Sequence, residues 1–277
     1  MLNASPRPDR ITSDHLLKNF FRPRKRYLTE PRTTHSANAN VVFPHPIHYP
    51  PAIVPNVYTF KDFEGSSHRI LIDLIRRFAP RGGMLLDLGA AGGELGAAVR
   101  DGFDRTIGFE YDADRIGQLR GRFDQVVIAD LETVKALPPN ASAIVLADVI
   151  EHLRNSTTLL RIVKQSLTSD GVLFLSVPNI ANITVRLGLL FGVFEYRDRG
   201  ILDFTHLRFF TMRTIKREIE NAGFRIIAIR GSSVPIRLII GWMPDILLRL
   251  GERVLTGITR IWRGLFAYQI ILVAVPK

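Results

Sequence analysis

Apolar residues recur at helical spacing from Ser66 onward. Ile70, Leu71, Leu74, Ile75 and Phe78 share one face, which predicts an amphipathic helix over 66–79. Short, continuously apolar runs then alternate with further helical patterns. Strands are predicted at 84–88, 105–109, 125–129, 143–147 and 172–177, with helices at 94–100, 113–122 and 156–167. Strands that are apolar at every position, rather than at every second one, are buried on both faces. Their alternation with helices requires crossover connections, and so an α/β fold with a mostly parallel, doubly wound sheet. Residues 178–210 interrupt the alternation. Thr211 then reads as the N-cap of a helix that runs to Asn221 and ends at Gly223. Strands at 224–229 and 268–275 bring the total to seven, and 235–265 between them is an apolar and basic helical segment. No uncharged apolar run approaches the ~18–20 residues that span a bilayer.

Residues 1–65 follow neither period. Nine of the sixteen prolines lie at 6, 8, 23, 31, 44, 46, 50, 51 and 55. A basic arm, partly disordered and laid over the domain near 54–63, is the expectation, ahead of a domain over 66–277. His45 and His48 sit among prolines that supply no helix or hairpin to fix them as metal ligands. The charge is distributed in the same uneven way. Of the net +11, residues 1–60 carry +5 and residues 231–277 carry +4, so the centre is nearly balanced. A basic total suggests nucleic acid or an anionic membrane, but here it belongs to the two ends. The absence of cysteine excludes a disulfide scaffold, thiolate metal ligands and a cysteine nucleophile. It also fits a reducing cytoplasm, as does a start without a secretory apolar core.

The most informative stretch is Leu85-Leu86-Asp87-Leu88-Gly89-Ala90-Ala91-Gly92-Gly93-Glu94-Leu95-Gly96. A strand ends on an acid, turns through small residues and opens a helix, so a ligand can approach the backbone closely. A dinucleotide site would need G-x-G-x-x-G with pyrophosphate on the helix. The chain offers A-x-G-x-x-G, and Asp87 and Glu94 would face a diphosphate with the wrong sign. A cationic ligand removes that conflict. The D-x-G-x-x-x-G pattern of Asp87, Gly89 and Gly93 resembles motif I of the class I S-adenosylmethionine-dependent methyltransferases, with Ala91 where the family more often has glycine.

That resemblance assigns Asp87, Gly89, Ala90, Ala91 and Gly93 to the cofactor loop. Three further acids follow predicted strands in order. Glu110, beside Tyr111, is suited to the ribose hydroxyls; Asp130, beside Leu131, to the adenine amino group; Asp148 ends the fourth strand. Any one acid after a strand can simply cap the next helix; four in series form a pattern. The match extends through 170–179, similar to the family's strand-P-N segment, and through Asp203-Phe204-Thr205-His206-Leu207-Arg208-Phe209-Phe210-Thr211. That segment resembles a D-x-T-H-L-R-F-F-T motif of a subgroup associated with bacterial glycan and secondary-metabolite pathways. The resemblance covers 66–277 and implies a Rossmann-like seven-stranded sheet, its last strand antiparallel between the fifth and sixth. Residues 178–210 and 231–266 become helical cap insertions on the acceptor side.

Methyl transfer to a hydroxyl requires a positioned acceptor and a proton acceptor. His206, oriented by Asp203, is the expected general base; the alternative is that it only bonds backbone to hold the lid. Arg208 either binds an anionic group of the acceptor or pairs with Asp203. No metal is required, although Asp148, Glu151 and His152 resemble the E-x-x-E-H ligand cluster of some metal-dependent methyltransferases. The expected activity is O-methylation of a small molecule or of a glycan or lipid-linked intermediate. The cofactor that the resemblance implies is S-adenosyl-L-methionine. Residues 237–266, rich in Arg and Leu, are read as a packed cap, as a peripheral contact with the inner membrane surface, or as a dimer face. Two rival readings keep the fold: an RNA or protein substrate, for which no aromatic-interleaved basic groove is visible, or a non-catalytic cofactor-binding module.

Overall fold

The computed structural model describes residues 65–236 and 243–277. The expectations for the proline-rich arm and for 237–242 lie outside those residues. The helix expected at the start is α1, Ser67–Phe78; Ser66 caps it by accepting from the Arg69 amide, and Arg76 and Arg77 sit at its negative C-terminal end. Then come β1 (Met84–Leu88), α2 (Glu94–Val99), β2 (Arg105–Glu110), α3 (Ile116–Leu119), β3 (Gln125–Ile128), β4 (Ala141–Ala147) and α4 (Ser156–Ser166). The second half holds β5 (Leu167–Pro178), α5 (Ile183–Leu190), α6 (Met212–Asn221), β6 (Phe224–Gly231), α7 (Asp245–Ile261), α8 (Arg263–Phe266) and β7 (Gln269–Pro276).

The seven strands lie in the order β3-β2-β1-β4-β5-β7-β6. The first five neighbours are parallel, and β7 runs antiparallel to both β5 and β6. The chain moves outward from β1 to β3, then returns to place β4 on the other side of β1. This reversal opens a crevice at the carboxyl ends of the strands, where ligands of open α/β sheets bind. It is the Rossmann-like, doubly wound sheet expected from the sequence.

Alternate residues of the continuously apolar strands feed two separate cores. On one face Leu86, Leu88, Ile144, Leu146, Leu173 and Leu175 pack with Leu160 and Val163 of α4 and with Ile215 and Ile219 of α6. On the other, Leu85, Val145, Phe174 and Val273 pack with Leu71, Leu74 and Ile75 of α1 and with Leu95 of α2. Burial of apolar area on both faces, at roughly 25 cal/mol per Å², holds the strand ends rigidly under the crevice.

One element differs in kind from its expectation. In place of a helix over 113–122 there is a 3-10 turn, Ala113–Arg115, followed by the single α-helical turn α3. Gly117 and Gly121 weaken helix propensity, and only Leu119 is buried there, so tertiary packing has little to hold. β5 begins earlier than expected, at Leu167, because Leu167 pairs with Ala141 across an irregular register next to Gly171. The expected cap of α6 is present: Thr211 accepts from the Thr214 amide while the Thr214 hydroxyl accepts from the Thr211 amide.

Candidate functional site

β1 delivers Asp87 one residue before its end, and the backbone then turns through Gly89 and Ala91, both with positive φ, into α2. Gly89 must be glycine on two counts: its φ is +80°, and a Cβ would lie 2.7 Å from Val149 Cγ2. Ala91 adopts a φ of 50° although it carries a Cβ, so the position where the family more often has glycine holds a left-handed alanine. Contacts on three sides fix the loop. The Gly89 and Ala90 amides both donate to the Phe109 carbonyl at 2.9 Å. The Ala91 amide donates to Glu110 Oε2 at 2.7 Å. Arg122 donates to the Gly92 carbonyl at 2.6 Å and pairs with Glu94 at 2.7 Å.

Asp87 is 2 % exposed, and its Oδ2 has no hydrogen-bond partner among the described residues. Burial pushes its carboxyl up to about 7; the Gly96 amide pulls it down, and the negative charge of Glu110 adds to the rise. A buried carboxylate oxygen left without a donor is costly unless a cation or donor arrives. Glu110, at the carboxyl end of β2, also accepts from the Asp112 amide at 3.1 Å, so it ties the β1 loop to the β2 loop. Tyr111 stands next to it, 75 % exposed on the rim. Asp130 accepts from the Glu132 amide at 2.9 Å and so starts the turn after β3, with Leu131 half-buried behind it. Asp148 has a φ of 56°. It accepts from the Ser176 hydroxyl at 2.7 Å and from the Gln269 side-chain amide, which locks β4 to β5 and β7.

A second cluster lies past the ends of β4 and β5. The Glu151 carbonyl accepts from the Leu207 and Arg208 amides at 2.9 and 3.0 Å, pinning segment 203–208 against the turn Ile150–His152. The rings of His152 and His206 meet edge to face, 4.8 Å between centroids. Burial lowers the pKa of both, and the His206 charge lowers that of His152 further. Both are therefore neutral near pH 7. Their tautomers follow from their partners: His206 Nδ1 donates to the Ile201 carbonyl at 3.1 Å. The single hydroxyl proton of Thr205 goes to Asp203 at 2.6 Å. His152 Nδ1 consequently donates to Thr205 Oγ1 at 3.1 Å and to the Thr205 carbonyl at 3.3 Å. Each ring keeps a lone pair on Nε2.

Three expectations change here. Asp203 does not orient His206; it is spent on the Thr205 amide and hydroxyl, and the Ile201 carbonyl orients His206. Arg208 does not pair with Asp203; it donates to the Arg154 carbonyl, Ser156 and Glu218, and so braces α4 against α6. Asp148 does not join Glu151 and His152, because Ser176 and Gln269 hold it; His206 takes that third place. Asn179 and Asn182 donate to the carbonyls of Gly264, Phe266 and Ala267 and anchor the α8–β7 turn. A surface hollow of about 620 Å³ between Arg76, Arg100, Asp101 and Asp124 lies at the opposite, amino ends of the strands. Its Arg100 and Asp124 pair with each other.

A family model described as a methyltransferase domain matches residues 63–229, more than half of the chain. No match to a curated protein was found. Among solved structures, a methyltransferase from Clostridium acetobutylicum described as S-adenosylmethionine-dependent is similar with a TM-score of 0.51 at 12% identity, over 78% of this chain and 92% of that one. A putative methyltransferase from Bacillus halodurans has a TM-score of 0.51 at 14% identity, over 75% and 99%. One from Archaeoglobus fulgidus has 0.50 at 19%, over 76% and 95%. At such identities the likeness is one of fold. Together with the family match and the acid-rimmed loop after β1, it places the chain: it belongs to the methyltransferase domain family, and its cofactor is S-adenosylmethionine.

Proposed function

We propose that the protein methylates a hydroxyl oxygen of a small molecule or glycan, carried as a lipid-linked intermediate. The observation that supports this reading is the pair of neutral imidazoles, His152 and His206, each with a free Nε2, beyond the same strand ends that carry the cofactor loop. S-adenosylmethionine supplies an electrophilic methyl group on a sulfonium and leaves as S-adenosylhomocysteine. The residues present suit it. The buried, partnerless Asp87 Oδ2 favours its cationic end, and Glu110 accepts from the ribose hydroxyls. Asp130 accepts from the adenine amino group, with Tyr111 and Leu131 flanking the base. Gly89, Ala90, Ala91 and Gly93 form the close-approach turn, and Asp148 closes its inner wall. Across the crevice the histidine pair takes up the acceptor's proton, with His206 nearest the lid segment that covers it. Asp203, through Thr205, holds His152 in its tautomer.

His206→Asn tests the chemistry. The asparagine amide can still donate to the Ile201 carbonyl, but nothing replaces Nε2. Cofactor affinity measured by calorimetry is expected to change less than about 3-fold, while turnover with a hydroxyl acceptor falls by roughly 100-fold or more. Unchanged turnover would remove His206 from the reaction.

The lipid-linked acceptor is favoured by α7. At about 100° per residue, Ile246, Leu247, Leu250, Val254, Ile258 and Ile261 fall within one arc of roughly 120°, and all are exposed. Leu248 and Thr259 face inward, and Arg249, Arg253 and Arg260 border the stripe. This is the pattern of a helix lying in an anionic interface. No helix among the described residues is long and apolar enough to cross a membrane. The protein is expected to cosediment with phosphatidylglycerol vesicles at low salt and much less with phosphatidylcholine alone. The double substitution Ile246→Glu, Leu250→Glu is expected to weaken that binding at least about 10-fold. Equal sedimentation of the variant would exclude the stripe as the contact.

A further inference from the structure

Glu151, His152 and His206 each offer a ligand atom, and the three atoms lie within 4.8 Å of one another. We propose that these side chains bind a divalent first-row transition ion at the acceptor side of the crevice. The inference rests on the O-methylation reading for what the ion does there, but not for whether it binds.

The donor set is two imidazoles and a carboxylate, which suits zinc, manganese, iron(II) or cobalt over magnesium or calcium. The surroundings match what such ligands need. Ligating histidines donate their other ring N–H to a carbonyl or carboxylate, which fixes ring and tautomer. His206 does so to the Ile201 carbonyl at 3.1 Å. His152 does so to Thr205, whose hydroxyl passes the interaction on to Asp203 at 2.6 Å. Both Nε2 lone pairs are thereby kept for a ligand. The rings meet edge to face, 4.8 Å between centroids. Glu151, 1 % exposed, offers a carboxylate oxygen, and its backbone is clamped by Leu207 and Arg208.

Metal bonds of about 2.0–2.2 Å place tetrahedral donors roughly 3.4 Å apart, so the three atoms, now within 4.8 Å of one another, draw together when the ion binds. Three protein ligands leave a fourth position open for an acceptor oxygen. A hydroxyl oxygen there becomes more acidic; its O–H bond breaks, the electron pair stays on oxygen and the proton passes to solvent. His206 then holds the ion instead of receiving that proton.

The test uses the full chain without an affinity tag, stripped with chelator and titrated with Co²⁺. One ion per chain is expected, with visible d–d bands that Zn²⁺ displaces. Glu151→Gln and His152→Asn, each shown to be folded by circular dichroism and to keep S-adenosylhomocysteine binding, are expected to weaken Co²⁺ at least about 10-fold. Chelator is expected to suppress methyl transfer and Zn²⁺ or Mn²⁺ to restore it. Absence of Co²⁺ binding, or binding undiminished in both variants, overturns the site. Transfer that ignores chelator yet is lost in His206→Asn also overturns it, while leaving hydroxyl methylation intact. Failure of that broader reading shows differently, as ion binding with no transfer to any hydroxyl acceptor.

Discussion

Replacing Glu110 by alanine is expected to weaken S-adenosylmethionine binding by about 100-fold or more with little loss of fold. Glu110 is only partly buried at the end of β2, so the sheet does not depend on it. Its carboxylate accepts from Ala91 at 2.7 Å and from Asp112 at 3.1 Å, so it shapes the walls of the cofactor crevice. Hydrogen bonds to a charged group contribute about 1.5–3 kcal/mol each. Losing the loop contact together with the proposed ribose contact therefore costs about 3–6 kcal/mol, and each 1.4 kcal/mol is a factor of ten. Glu110→Gln keeps the size and acceptor character of the side chain and is expected to fall between the two. Calorimetry on all three proteins, with thermal unfolding as the check on fold, reads the result. Equal affinity in the alanine variant would remove Glu110 from the site.

The second large effect is one of pH. In the folded protein the Asp87 carboxyl is pushed up to about 7, against about 3.9 in an unfolded chain. The folded state therefore binds more protons than the unfolded one between those values, and the contribution of Asp87 to stability falls as pH rises through that window. At about 1.36 kcal/mol per unit, roughly 2–3 kcal/mol is lost between pH 5 and 8. His152 and His206, whose pKa values are lowered, act with the opposite sign: stability rises as pH climbs through their window. Asp87→Asn separates the two, since it removes only the first. Relative to the asparagine variant, the cofactor-free wild type is expected to lose about 5–10 °C in Tm between pH 5 and 8. A cation beside Asp87 favours its ionised form, so cofactor affinity is expected to rise with pH up to about 7. Parallel Tm curves for the two proteins would contradict the burial of an ionisable Asp87.

The sheet was legible because strands buried on both faces are apolar at every position, a pattern that loops and surface helices do not share. The turn between β1 and α2 was legible because the small residues and the acid are contiguous in Asp87–Gly93. Residues 113–122 misled because apolar spacing is read without regard to Gly117 and Gly121. The histidine cluster was only half visible. Asp203 and His206 are neighbours in sequence, but Thr205 intercepts the carboxylate, and chain proximity does not encode which way a side chain turns. The contacts of Arg122 and Gln269 were not foreseen. One reaches Gly92 across 30 positions and the other reaches Asp148 across 121, and a sequence does not display pairings over such separations. Gly96 and Gly108 did carry a signal. A Cβ at either would lie within 3 Å of the Phe123 ring, so the small residues mark where α2, β2 and Phe123 must meet behind the loop.

The net positive charge also takes a narrower meaning. The described crevice gathers carboxylates, Asp87, Glu110, Asp130 and Asp148, at the strand ends, as a cationic cofactor requires. The arginines of α7 border an apolar stripe, which bears on where the acceptor resides.

The central claim is that the loop between β1 and α2 holds S-adenosylmethionine. Its most direct test is a calorimetric titration of the full chain with S-adenosylmethionine and with S-adenosylhomocysteine. One molecule of each is expected to bind per chain, in a competitive manner, with the affinity lowered about 100-fold or more in Glu110→Ala. A folded protein that binds neither would contradict the claim.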